Sequence, residues 1–353
     1  MRLFFELLQV ALGHCSSLSR NPSEEEWKVI FEIAQRQTIT GFAFEALETL
    51  SNKGTRPPQA LLFEWIGLSE QIKNQNRVVN HRCIEITETF SNAGWKTCIL
   101  KGQGNALMYP NTLCRMPGDV DIWVDSSKDY VVDFVRRQFQ EANVTEHHIE
   151  YPIFDDVDVE VHFRPVSAVS VRYDKRLDSY FHSQKDAQFQ HSVNLLDTEG
   201  VVNVPTTEFN VVYQMAHMMK HFFSEGLGMR HLVDYYYVLT SGKTQIGKDY
   251  TSVFQELGLL RFAKAVMWVL GNVFLLERNR MVCELDERRG KLLLQEIMAE
   301  GNFGHSDNRF AKRLTTISST LSLLIRNAKL FVLFPEEAIM APVSNVIRRL
   351  KNG

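Results

Sequence analysis

The sequence predicts an α+β protein in which a block of short strands is framed on both sides by helices. Three observations carry this. Up to about residue 92, apolar residues recur at helical spacing. From residue 95 to 204 they form short β-type runs separated by turn residues. Beyond Pro205 the alternation disappears and helical spacing returns. The 353 residues therefore divide into expected regions 1–92, 93–205 and 206–353.

The first stretch reads as an amphipathic helix and not as a leader, because Glu6 interrupts its apolar run and His14 spoils a small-residue cleavage site. Ser23 and Glu26 form a capping box ahead of the stripe Trp27, Ile30, Phe31 and Ala34. Helices are expected at about 42–50 and, after Pro57-Pro58, at 58–92. The central region should hold strands at 97–100, 119–124, 145–153 and 157–163 and a hairpin over 194–204, with helices at 105–109 and 127–141. The last region should hold helices at 207–223, 229–239, 252–276 with a break, 288–298 and 308–334.

Composition removes several classes of function. Hydrophobic residues make up 44% and charged residues 23%, which excludes a disordered or fibrous chain. Lysine and arginine number 39 against 42 acids, a net charge of −3, so there is no basic excess for non-specific duplex binding. The five cysteines are scattered with no C-x-x-C pair, which fits a reducing compartment. The most apolar run, 265–276, is far shorter than the ~20 residues that span a bilayer. A cytoplasmic protein is the expectation.

The chemistry concentrates in two strands. In Gly118-Asp119-Val120-Asp121-Ile122-Trp123-Val124, period-2 geometry puts Asp119 and Asp121 on one face. Adjacent carboxylates repel unless a cation sits between them, and hard oxygen ligands favour Mg²⁺ or Mn²⁺. The bland alternative is a strand edge with two solvated acids. The second strand, Val157-Asp158-Val159-Glu160-Val161-His162-Phe163, alternates strictly, and if it lies beside the first, Glu160 completes a three-carboxylate cluster that can hold two metal ions, which would activate an attacking oxygen and bind the phosphates of a nucleotide. Upstream, the strand at 97–100 opens into Lys101-Gly102-Gln103-Gly104, a turn where backbone N–H groups can approach a phosphate.

The series Leu100-Lys101-Gly102, Arg115, Gly118-Asp119-Val120-Asp121 and Glu160-Val161-His162 resembles the DNA polymerase β-type nucleotidyltransferase superfamily and, within it, a bacterial family of uncharacterised nucleotidyltransferases. The likeness extends to a C-terminal stretch holding His217, Lys220, His221, Gly226, Gly228, Arg230 and Asp234. It implies a polymerase β-like core with a five-stranded mixed sheet and helices on one face, flanked by N- and C-terminal helical regions, with Mg²⁺ on Asp119 and Asp121 and Glu160 as third acid. The wider superfamily carries Gly-Ser at the turn, whereas this chain has Lys101-Gly102-Gln103, so the lysine could supply the phosphate contact as a point charge.

A triphosphate and an acid cluster together need cations, and Arg115, Lys220 and Arg230 are the candidates. The lesser alternative for each is a plain surface or ion-pair residue, and Asp234 could hold Arg230 as an i, i+4 partner. His217 and His221 share a helix face; core histidines, a cleft role or, with a third ligand, zinc are the alternatives. The expectation is metal-dependent transfer of a nucleoside monophosphate from a nucleoside triphosphate to a hydroxyl acceptor that the sequence does not name. Asp119, Asp121 and Glu160 would be catalytic, Glu160 helping to deprotonate the acceptor, and Lys101, Gly102, Arg115, Lys220 and Arg230 would bind nucleotide. The alternatives are a non-catalytic nucleotide-binding relative that works through a partner, or a phosphotransferase with the same metal site.

Overall fold

A computed structural model of the chain describes residues 1–224, 226–241, 247–300, 328 and 330–352. Most of the helix expected at 308–334 lies outside them. The N-terminal helices are α1 (Arg2–Ala11), α2 (Glu24–Arg36), α3 (Thr40–Ser51) and α4 (Gln59–Asn92). The capping box forms as expected: Ser23 accepts from the Glu26 N–H, while the Glu26 carboxylate accepts from the Ser23 N–H at 2.9 Å.

The strands β1 (Thr97–Leu100), β2 (Val120–Val124), β3 (His148–Glu150) and β4 (Val159–His162) form one sheet in the order β1-β2-β4-β3. Between β1 and β3 lie the short α5 (Gly102–Ala106) and α6 (Lys128–Arg136). β2 runs antiparallel to β1 and parallel to β4, while β3 is antiparallel to β4. The sheet has four strands where the resemblance implies five. The hairpin β5 (Ser192–Asn194) and β6 (Val201–Asn203) pairs only with itself and joins β1 through a side chain, Asn203 Nδ2 donating to the Thr97 carbonyl at 3.0 Å. β3 is shorter than expected because Thr145 N–H donates to His148 O at 2.8 Å, which turns the chain ahead of the strand.

Two helices between β4 and the hairpin, α7 (Val171–Ser183) and α8 (Lys185–Gln188), are absent from the sequence reading. α7 buries only Leu177 and Phe181 among its apolar residues, too thin a stripe to register as a periodicity. The C-terminal part holds α9 (Thr207–Ser224), α10 (Met229–Thr240), α11 (Thr251–Glu256), α12 (Leu260–Val273) and α13 (Glu287–Glu300), followed by a helix at Pro335–Asn352. The expected break within 252–276 falls at Gly258, whose φ of +74° a side chain rarely adopts.

The alternation of β2 and β4 sorts the two faces of the sheet. Val120, Ile122, Val124, Val159 and Val161 pack with Val79, Cys83, Ile86 and Phe90 of α4 and Val131 and Val135 of α6. The opposite residues, Asp121, Trp123, Glu160 and His162, face the C-terminal helices. Trp123 is held there by the rings of Phe189 at 4.7 Å and Phe209 of α9 at 6.0 Å. Next to this aromatic contact the sheet and the α9–α10 pair separate into a cavity.

Candidate active site

The cavity has a volume of about 720 Å³, and its lining brings together all eight residues expected to act: Lys101, Gly102, Arg115, Asp119, Asp121, Glu160, Lys220 and Arg230. The floor is set by the β2–β4 register, which places Asp121 opposite Glu160 and Trp123 opposite His162. Asp119 sits one residue before β2 at the mouth, where solvent reaches it. Asp121 is buried, and its Oδ1 meets both Lys101 Nζ at 2.8 Å and His162 Nε2 at 2.9 Å. Glu160 Oε2 lies 3.0 Å from His148 Nδ1 and 3.4 Å from His162 Nε2.

These contacts polarise the three acids differently. The Asp119 carboxyl is raised above its ordinary value by the charge on Asp121 and then by the desolvating walls of the cavity, with Lys101 offsetting part of the effect. Burial would also raise Asp121, yet Lys101 and the hydrogen bond from His162 hold it below the usual range. Burial likewise opposes the charge on Glu160, but hydrogen bonds from His148 and His162 keep it well below the usual carboxylate range. His162 answers in the other direction: burial lowers it, and Asp121 and Glu160 more than restore it, so it is raised. Lys101, despite burial, is held above the ordinary lysine value by Asp121, Asp119 and Glu160.

Lys101 has φ +50° and ψ −131°. That backbone region belongs almost entirely to glycine and costs about 1–3 kcal/mol for another residue. Its ammonium also contacts His217 Nε2 at 2.9 Å. Gln103, two residues on, turns away from the cavity and donates to the Asn80 side chain of α4, so the hydroxyl contact of the wider superfamily has no counterpart at that side chain.

The two arginines differ sharply. Arg115 is buried and bidentate with Asp234, Nε to Oδ1 at 2.9 Å and Nη2 to Oδ2 at 2.8 Å, and Nη1 reaches the Met116 carbonyl at 3.2 Å. Asp234 further accepts from Tyr109 Oη at 2.6 Å and Asn105 Nδ2 at 3.2 Å. The i, i+4 pairing of Asp234 with Arg230 is thus corrected: the loop before β2 delivers Arg115 in a better fork geometry. Arg230 is also buried, but among the described residues no carboxylate lies within ion-pair distance of it. Its Nη1 reaches only the Met116 and Pro117 carbonyls, at 3.3 and 3.4 Å, and its Nε has no partner among the described residues. Burial, then Arg115, pulls its pKa below the ordinary arginine value. Lys220 Nζ sits 3.0 Å from His147 Nε2.

Histidines complete the walls. His217 Nε2 lies 2.9 Å from His221 Nε2, and the His231 ring stands nearby with centroids 5.9 and 5.6 Å from the two. His217 is therefore a cavity residue touching Lys101. His147 and His148 are cavity residues that the sequence reading misses; the signal available is two consecutive histidines ahead of an alternating strand. Asp119, Asp121 and Glu160 supply the hard oxygen donors that suit Mg²⁺ or Mn²⁺. Asp121, Glu160 and His162 hold ligand atoms within 4.8 Å of one another, so the residues present fit a divalent cation.

The family described as uncharacterised nucleotidyltransferase matches the chain over residues 23–274. A comparison with curated proteins finds no match. Among solved structures, the crystal structure of an antigenic nucleotidyltransferase-like protein from Paracoccidioides brasiliensis is similar over 62% of this chain and 95% of that one, with 14% identity and a TM-score of 0.36.

Proposed function

This chain belongs to the uncharacterised nucleotidyltransferase family, and from that membership and the cavity we propose that it transfers a nucleoside monophosphate from a nucleoside triphosphate to a hydroxyl acceptor. The observation that carries the reading is that one cavity holds both the acids in register on β2 and β4 and the buried Arg230 of α10, which has no carboxylate partner among the described residues.

Asp119, Asp121 and Glu160 would hold a divalent cation, whose positive charge, when bound, offsets that of the phosphates. Arg230 would gain an anionic partner from a phosphate, and Lys220 and the Lys101-Gly102 turn line the same space. Arg115 acts one step back: its fork is spent on Asp234, which fixes the loop that carries Gly118 and Asp119 into the cavity. Glu160, with His148 Nδ1 and His162 Nε2 within ion-pair distance and a lowered pKa, is better suited to holding a cation than to taking a proton from the acceptor. Catalysis would rest on positioning and charge compensation. The regions 1–92, 93–205 and 206–353 would supply, in turn, a supporting helical scaffold, the acid-bearing core and the cationic wall.

A non-catalytic nucleotide-binding relative is the second reading, and the Lys101–Asp121 contact favours it, because Asp121 is already neutralised from within. Incubation with each of the four nucleoside triphosphates, labelled at the α-phosphate, in Mg²⁺ or Mn²⁺ separates the two. Pyrophosphate release with label transferred to an acceptor supports the enzyme. Saturable nucleotide binding with no turnover in any combination overturns it.

A further inference from the structure

Lys101 places its ammonium on one of the carboxylates that would hold a divalent cation. Its ammonium lies 2.8 Å from Asp121 Oδ1, inside the cavity. It reaches there from a left-handed backbone that a glycine would adopt without strain. Its other partner, His217, is a buried ring whose pKa burial and Lys101 itself keep low, so it offers a lone pair and no charge. The remaining charged groups facing Asp121 are His162 on the same oxygen and the acids Asp119 and Glu160.

We propose that Lys101 is the built-in counter-ion of the acid cluster: it occupies Asp121 when no divalent cation is bound, and metal binding drives it off Asp121 towards the phosphates. A divalent cation on Asp121 and an ammonium on the same carboxylate are like charges a few ångströms apart in a poorly solvated cavity, and their repulsion is large. The lysine stem is flexible and its ammonium can redirect its three donors, so the ammonium moves more readily than the strand-borne carboxylate. Once off Asp121 it has the His217 ring beside it and a cavity that Lys220 and Arg230 also line. Metal and triphosphate should therefore assist each other, each strengthening the other's binding by the same factor. The proposal rests on the nucleotidyltransferase reading of the site and adds to it the reason this chain carries lysine where the strained turn favours glycine.

The test is Mn²⁺ binding to the full chain, without nucleotide, followed by calorimetry or by the electron paramagnetic resonance signal of free Mn²⁺. Lys101→Met and Lys101→Gly should tighten Mn²⁺ binding at least about tenfold, because a competing positive charge is gone. Lys101→Gly also removes the backbone strain and so protects the test against a variant that fails to fold. Lys101→Arg keeps the charge and should stay within about threefold of the parent, as electrostatic competition predicts. Unchanged or weaker Mn²⁺ binding in both neutral variants, each shown to melt cooperatively, overturns the counter-ion role. Glu160→Gln and Asp119→Asn separate that failure from failure of the underlying reading. If they leave Mn²⁺ binding intact, or if the parent binds none and the neutral variants bind none, the metal site and the proposal fall together. If they abolish binding while the Lys101 variants match the parent, only the counter-ion role falls.

Discussion

Arg115 and Asp234 stand 119 residues apart in the chain and meet as a buried two-pronged ion pair, with contacts of 2.9 and 2.8 Å. The pair ties the loop entering β2 to α10, and so fixes the distance between the acid-bearing strand and the helix that carries Arg230.

Removing one partner should therefore be costly. Arg115→Ala or Asp234→Ala leaves an uncompensated buried charge, which typically costs about 3–5 kcal/mol. Urea or thermal unfolding measures this. A double replacement by apolar residues should recover part of the loss, and a single replacement costing under about 1 kcal/mol would contradict the assignment.

The three acids should separate into two behaviours. Asp119→Ala relieves repulsion with Asp121 and should leave unfolding within about 0.5 kcal/mol of the parent, while metal-dependent nucleotide binding is lost. Asp121→Ala is not equally harmless to the fold, because Lys101 and His162 both lean on that carboxylate. Its loss should cost about 1.5–3 kcal/mol as a deleted hydrogen bond to a charged group. Paired unfolding and nucleotide-binding titrations on the two variants check the split.

Arg230→Met should weaken triphosphate binding by about 1.5–3 kcal/mol, roughly 10- to 150-fold, and leave nucleoside binding nearly unchanged. Lys220→Met should act in the same direction. Isothermal titration with a triphosphate and its parent nucleoside gives the contrast, and equal losses for both ligands would move α9 and α10 to a scaffolding role. His217 is no neutral packing control for this experiment, since it touches Lys101 and lines the cavity.

Stability should fall on mild acidification. His147, His217 and His231 are buried and held well below 6.5, by burial first and then by Lys220, Lys101 and Arg230 respectively. Below pH 6.5 the unfolded chain takes up protons that the folded chain refuses, so each contributes up to about 1.4 kcal/mol of lost stability per pH unit. His162 runs the other way: its folded value is raised, so its contribution is complete below 6.5 and is lost as pH rises through that folded value. Three groups against one should put the urea midpoint highest near neutrality and lower it steadily from pH 6.5 to 5. A midpoint that rises over this interval contradicts the assignment.

The parts of the fold legible in the sequence are those written in a local period. The run at 157–163 alternates strictly and the spacing of Asp119 and Asp121 puts both on one face of their strand, while the parallel pairing that sets Asp121 opposite Glu160 comes from the tertiary fold. The pairing of Arg115 with Asp234 is hidden because helix spacing offers Arg230 as a nearer partner, and only the tertiary fold decides between them. Lys101 is visible as a cation at a turn, but its contact with Asp121 depends on a left-handed backbone conformation that no periodicity reports. His147 and His148 enter the cavity because Thr145 turns the chain, a local bond with no apolar pattern to announce it.

Trp123 gives the cavity an optical handle. The chain has five tryptophans, and Trp27, Trp65, Trp95 and Trp268 all lie elsewhere in the fold. Trp123 shares the acid-bearing strand and face with Asp121 and stands opposite His162, its indole buried against Phe189 and Phe209. A chain in which the other four are replaced by phenylalanine would carry one fluorophore beside the cavity, two residues along the strand from Asp121. Its emission would then follow metal loading and ligand arrival in real time, with no dye attached and whatever the acceptor is.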